Sequence, residues 1–109
     1  MTTSLLANLE RMLAQGRDDA LLRYGLGGEY LKIPDFAQAT RHLQVAVTHA
    51  PDYSAAWKLL GQALTGGGDL TAAKAAYASG IAAAEHQGDI QAAREMRVFL
   101  KRLGPSDQA

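Results

Sequence analysis

The sequence predicts an all-α fold, a stack of about six short helices, and three observations carry that prediction. First, landmarks recur at a fixed spacing: Leu26, Gly27, Tyr30, Ala39 and Leu43 are answered 34 positions on (60 − 26 = 34) by Leu60, Gly61, Leu64, Ala73 and Tyr77, with Asp35 answering Asp69 and Phe36 answering Leu70. A period of that size marks stacked helical repeats. Second, apolar positions inside each copy keep helical spacing, as with Ala73 and Tyr77, four residues apart on one face. Third, Gly16, Pro34, Pro51, the run Gly66 to Gly68, and Gly88 cut the chain into helix-sized segments.

Taken in order, Thr2, Thr3 and Ser4 offer hydroxyl caps to a first helix of about Leu5 to Gln15. Its apolar residues Leu5, Leu6, Leu9, Met12 and Leu13 fall on one side, and Gly16 stops it. This N-terminal segment, 4–16, covers the open end of the stack. Asp18 and Asp19 cap a helix running through Tyr30, and Asp52, 34 residues after Asp18, does the same for the helix that holds Trp57. Pro34 and Asp35 make the turn inside the first copy, and Asp35 with Gln38 resembles a capping box for a helix from Phe36 to His49. Pro51 separates the copies, since it cannot continue a helix and disfavours helix at Ala50.

The second copy turns at Gly66, Gly67 and Gly68, which make the most flexible point of the chain, and Asp69 caps the alanine-rich helix that follows. A last helix starts at Gly88 and Asp89 and runs to about Leu103. Here the 34-residue register would put Arg94, Glu95 and Arg97 at core-facing slots, where unpaired charge is prohibitively costly. The helix must therefore be rotated, presenting Ile90, Ala93, Met96, Phe99, Leu100 and Leu103 to the second copy. The tail from Gly104 is expected to fray.

The second copy, Trp57, Leu60, Gly61, Leu64, Ala73, Tyr77, resembles the tetratricopeptide repeat family, whose pattern runs Trp, two residues, Leu-Gly, two residues, Tyr, then Ala, three residues, an aromatic, and later Pro. It departs from that pattern at Glu85, where the family has proline. The first copy has Arg23 in place of the tryptophan but keeps Leu26, Gly27, Tyr30, Ala39 and Pro51. The resemblance implies a right-handed stack of antiparallel helix pairs. It divides the single domain 1–109 into an N-terminal capping helix (4–16), repeat 1 (20–53), repeat 2 (54–87), a C-terminal capping helix (88–103) and a tail (104–109).

Composition narrows the function. A chain of 109 residues buries roughly 60–70 % of its unfolded surface, enough for one domain. Eleven basic and eleven acidic residues cancel, so no global field draws the protein to nucleic acid or to an anionic membrane. The absence of cysteine excludes disulfides, thiolate metal sites and thiol catalysis. The first residues are too polar and too short an apolar run for a signal peptide or a membrane span, and a cytoplasmic protein is expected.

Candidate chemistry is thin. Gly25 to Gly28 is no dinucleotide loop, because Tyr30 stands where the fingerprint needs glycine and no strand precedes it; Gly27 and Gly61 let paired helices touch, whereas Gly25 and Gly28 have no evident reason. His42 and His49 share a helix face about 10 Å apart, too far to ligate one zinc, and read as solvated or partly covered imidazoles; His86 favours a helix end. Asp18, Asp19, Asp35, Asp52, Asp69 and Asp89 all fall at helix starts, where capping accounts for them. There is no nucleophile elbow and no HExxH pattern, so no enzyme, no cofactor and no metal are expected. Arg94, Arg97 and Lys101 form a stripe, with Arg102 beside it, that reads as a solvated face; a grip on nucleic acid through it would be steeply salt dependent.

The family resemblance implies that the first helix of each repeat lines a concave groove that takes a partner's peptide. By matched slots that groove is Leu21, Tyr24, Gly28 and Leu31 in the first copy and Ala55, Lys58, Gln62 and Thr65 in the second. Some family members clamp a terminal carboxylate with Lys and Asn at two such slots, but here only Lys58 supplies a cation. A protein or peptide partner bound at micromolar affinity is expected, to a monomer or weak homodimer acting as adaptor or scaffold. The alternative is a self-associating structural protein that uses an exposed Met96, Phe99 and Leu103.

Overall fold

A computed structural model describes residues 4–105, and its regular elements are six helices: α1 (Leu5–Ala14), α2 (Ala20–Lys32), α3 (Phe36–His49), α4 (Ser54–Gly66), α5 (Leu70–His86) and α6 (Ile90–Arg102). No strand occurs among the described residues. Each helix lies against its successor, and α2 also touches α4 while α4 touches α6. The body is elongated, 51 × 29 × 20 Å. Because alternate helices approach one another only along the α2, α4, α6 side, that side is the inner one of a curved stack.

Helix starts follow the short polar residues. Ser4 Oγ accepts from the Ala7 N–H at 3.1 Å, Asp19 from Leu22 at 2.8 Å, Asp35 from Gln38 at 3.2 Å, and Asp69 and Asp89 from Ala72 and Ala92 at 3.1 Å each. Each cap contributes about 1 kcal/mol by satisfying a helix-end donor. Thr2 and Thr3, expected beside Ser4, lie outside the described residues. Three expectations need correction. Asp52 is no cap: α4 starts one residue later, at an N-cap Tyr53 with no side-chain bond, and the Asp52 carbonyl accepts instead from the Gln87 amide. Asp18 likewise yields the cap to Asp19 and pairs with Arg23. The capping box at Asp35 is half formed, since the Asp35 N–H donates to Tyr30 O at 2.9 Å.

The core is set by where helices come closest. A Cβ on Gly27 would overlap the Leu43 side chain, and one on Gly61 would overlap the Tyr77 ring, so each repeat's first helix offers a glycine into which its second helix seats a large side chain. The α5–α6 contact reverses the roles, with Gly80 on α5 and Met96 on α6. Around these contacts Leu26, Leu43, Leu60 and Met96 are completely buried, each contributing about 2 kcal/mol of hydrophobic free energy. Gly66 is not part of a loose run: it ends α4 with the Phe36 ring where its side chain would be, while Gly68 alone of the three takes the left-handed turn, φ +87°. Gly25 and Gly28 are under no such demand, for a Cβ there would meet Leu9 at 3.5 Å and Leu59 at 3.8 Å, ordinary contact distances.

The last helix turns its charges outward. Arg94 and Arg97 are exposed while Ala93 and Met96 are buried against α5, with Phe99, Leu100 and Leu103 packed at the margin. Ile90, assigned to the same apolar face, lies at the first turn and remains 66 % exposed. Of the Met96, Phe99 and Leu103 patch expected to serve self-association, Met96 is buried against α5, and Phe99 and Leu103 are half-buried, Phe99 stacked on Tyr77 with centroids 5.7 Å apart. Nor is the start of the tail frayed, since Lys74 Nζ donates to the Pro105 carbonyl at 2.7 Å; residues 106–109 lie outside the described ones.

The contrast between glycines is measurable by urea denaturation. Gly61→Ala is expected to lower the unfolding free energy by about 1–3 kcal/mol, since Tyr77 must move. Gly28→Ala is expected to raise it by about 0.5–1 kcal/mol through helix propensity alone.

Candidate interaction groove

The inner face takes its character from what the glycine contacts leave over. Gly27 and Gly61 are turned toward α3 and α5, and the flanks of α2 and α4 beside them carry Leu21, Tyr24, Gly28, Leu31, Ala55, Lys58, Gln62 and Thr65. On α2, Leu21 is 63 % exposed. Tyr24 is half-buried, its ring tilted against Tyr53 with centroids 4.9 Å apart, so it is already partnered within the chain. Leu31 leans on the core, and Gly28 lies over Leu59. On α4, Thr65 Oγ1 donates to the Gly61 carbonyl at 2.7 Å, and Gln62 is half-buried.

Ala55 and Lys58 are drawn into one feature, a cavity of about 210 Å³ between α4 and α6, together with Ser54, Asp89, Gln91, Ala92 and Glu95. Lys58 Nζ stands 3.7 Å from Glu95 Oε1, so the one cation assigned to the groove is opposed by a carboxylate from the facing helix. The α6 contribution escapes a reading confined to two copies. Asp89 and Ala92 stand 34 positions after Ala55 and Lys58 (89 − 55 = 92 − 58 = 34), and extending the groove register one step would have found both. Glu95 has no such signal, because its slot in the second copy is the buried Gly61 (95 − 61 = 34).

The remaining polar candidates gather elsewhere. His42 is 1 % exposed, which corrects its assignment as a solvated or partly covered imidazole. Arg23 Nη1 lies 3.1 Å from His42 Nδ1; as a guanidinium can only donate, Nδ1 is the acceptor and the ring proton sits on Nε2. Tyr30 stacks on the ring at 5.4 Å and donates its hydroxyl to Glu10 Oε1 at 2.9 Å. Asp18 holds Arg23 by two bonds of 2.8 Å and accepts from His49 Nε2 at 3.1 Å; the Arg23 guanidinium keeps its carboxyl well below the usual carboxylate range. Arg23 occupies the place of Trp57 (57 − 23 = 34) and His42 that of Ala76 (76 − 42 = 34). Where the second copy seats a large indole over an alanine, the first pairs a guanidinium with an imidazole.

The basic stripe is broken up: Arg97 pairs with Glu85 and Arg102 sits over the Phe99 ring at 5.8 Å. No group of three His, Cys, Asp or Glu among the described residues is placed to hold a metal ion. No helix among them is long and apolar enough to cross a membrane.

Comparison with known proteins agrees with the architecture. A family model described as Tetratricopeptide repeat matches residues 34–96, more than half of the chain. A TPR repeat-containing protein of Pseudomonas aeruginosa is 50 % identical over 99 residues, spanning 91 % of this chain and 94 % of its own. A protein of Bordetella parapertussis known from its solution structure superposes with a TM-score of 0.80 at 46 % identity, over 94 % of this chain and 89 % of that one.

The Lys58–Glu95 pair is half-exposed and solvent-screened, so it contributes little to stability. Glu95→Gln is expected to change the unfolding free energy by less than about 1 kcal/mol in thermal or chemical denaturation.

Proposed function

Because the chain belongs to the tetratricopeptide repeat family, whose repeats generally mediate protein–protein interaction, we propose that it is a non-enzymatic adaptor or scaffold taking a peptide segment of a partner protein along the inner face of α2, α4 and α6. One observation supports this reading above the others. The inner face lends Tyr24 and Leu31 to the core, yet it keeps Leu21 63 % exposed and an open cavity at Ala55 and Lys58. An apolar contact at one end and, at the other, a polar cavity holding Lys58 with Asp89 and Glu95 suit a segment of mixed character. A groove formed by three helices is short, which places the affinity in the micromolar range.

The groove is tested by filling it. Leu21→Glu and Ala55→Arg, made together, replace an exposed apolar contact by a charge and occupy the α4–α6 cavity with a long side chain. Partner recovery from lysate is expected to fall at least tenfold with the helical circular dichroism spectrum unchanged. Full recovery by the folded double variant excludes this face as the binding site.

A further inference from the structure

We propose that the buried His42 and the residues that bracket it form a proton-sensitive joint, which holds α1 against the first repeat at neutral pH and releases it when His42 is protonated. Three geometric facts carry this. The imidazole is enclosed, 1 % exposed, and its Nε2 has no hydrogen-bond partner. Its Nδ1 accepts from Arg23, so a second ring proton would set donor against donor at 3.1 Å. The side that faces Nε2 is closed by α1, through Glu10 at 3.6 Å.

Every charged or titratable group facing the ring is on one of three elements or the turn between them: Glu10 on α1, Arg23 and Tyr30 on α2, Asp18 in the α1–α2 turn, and Arg41 on α3. Burial, then the Arg23 charge, pushes the His42 imidazole below its ordinary 6.5, against the weaker pull of Glu10. Asp18 is already committed to Arg23 and His49. Glu10 is half-exposed and already accepts from Tyr30, so solvent screens its hold on an imidazolium.

Since the folded-state value lies below the unfolded one, protonation favours the open form. The stability owed to a neutral His42 is intact above about pH 6.5 and is lost as pH falls from there through the folded-state value. The element that yields is α1, because it buries no residue completely whereas α2 and α3 carry the core residues Leu26, Leu43 and Val47. Movement of α1 brings water to Nε2 and relieves the largest cost, desolvation.

The test is a titration of the whole protein from pH 7.5 to 5.0, following the histidine ring nitrogens and backbone amide exchange by NMR. The expected result is an Nε2–H tautomer for His42 at neutral pH, a midpoint below 6.5, and loss of amide protection in α1, residues 9–13, in step with that midpoint while α5 stays protected. Arg23→Gln is expected to raise the midpoint by about one pH unit, as removal of a neighbouring charge does. A His42 that titrates at or above 6.5 overturns the proposal, as does α1 protection that holds or increases while His42 becomes charged. The wild-type titration decides the matter even if His42→Gln fails to fold.

Discussion

Four close helix contacts hold this molecule together, and each is made by a glycine opposite a large side chain: Gly27 with Leu43, Gly61 with Tyr77, Gly66 with Phe36, Gly80 with Met96. The contact fixes which side of a helix faces its partner, because a Cβ at these glycines would overlap the partner's side chain. Once α2 and α4 are oriented in this way toward α3 and α5, the flanks beside those contacts are left to line the inner face. The inner face is therefore a consequence of packing and is continuous with the core, since Tyr24 and Leu31 pack against it while Leu21 stays exposed.

The two copies solve the same spatial problem with different chemistry. Trp57 fills its place with an indole whose N–H donates to the Pro51 carbonyl at 2.8 Å, a large apolar surface with one satisfied polar atom. In the first copy the matching positions hold Arg23 and His42: Arg23 is bonded to Asp18 and to His42 Nδ1, while His42 Nε2 is left without a partner. A buried polar network of this kind couples more of the structure than an apolar contact does, since each member depends on the next. It also draws α1 into the fold: Glu10 reaches both Tyr30 and His42 from a helix that otherwise offers only part-buried apolar contacts.

At α6 the repeat pattern changes. In the second copy, Leu60 and Gly61 face a following helix; the matching residues of α6, Arg94 and Glu95, face no further helix among the described residues and are charged. An aqueous surface there requires polar side chains, while the face toward α5 keeps Ala93 and Met96.

Helix number, helix type, the turns at Gly16, Gly88 and somewhere in the run Gly66 to Gly68, and the service of Gly27 and Gly61 could all be read from the amino-acid order, because each depends on spacing within one helix or on a recurrence between copies; that Gly68 alone takes the left-handed turn required the structure. The outward turn of α6 could be read as well, since burying Arg94 and Arg97 is prohibitive wherever the helix docks. What required the tertiary structure involves partners far apart in sequence. Asp18 and Asp52 looked like caps from position alone, but one is taken by Arg23 and the other offers its carbonyl to Gln87. His42 looked like a surface residue until α1 and α2 closed over it, and Glu95 joins the groove only because α6 lies across from Lys58. Local order sets which backbone states are cheap; which side chains meet is decided by how the helices come together.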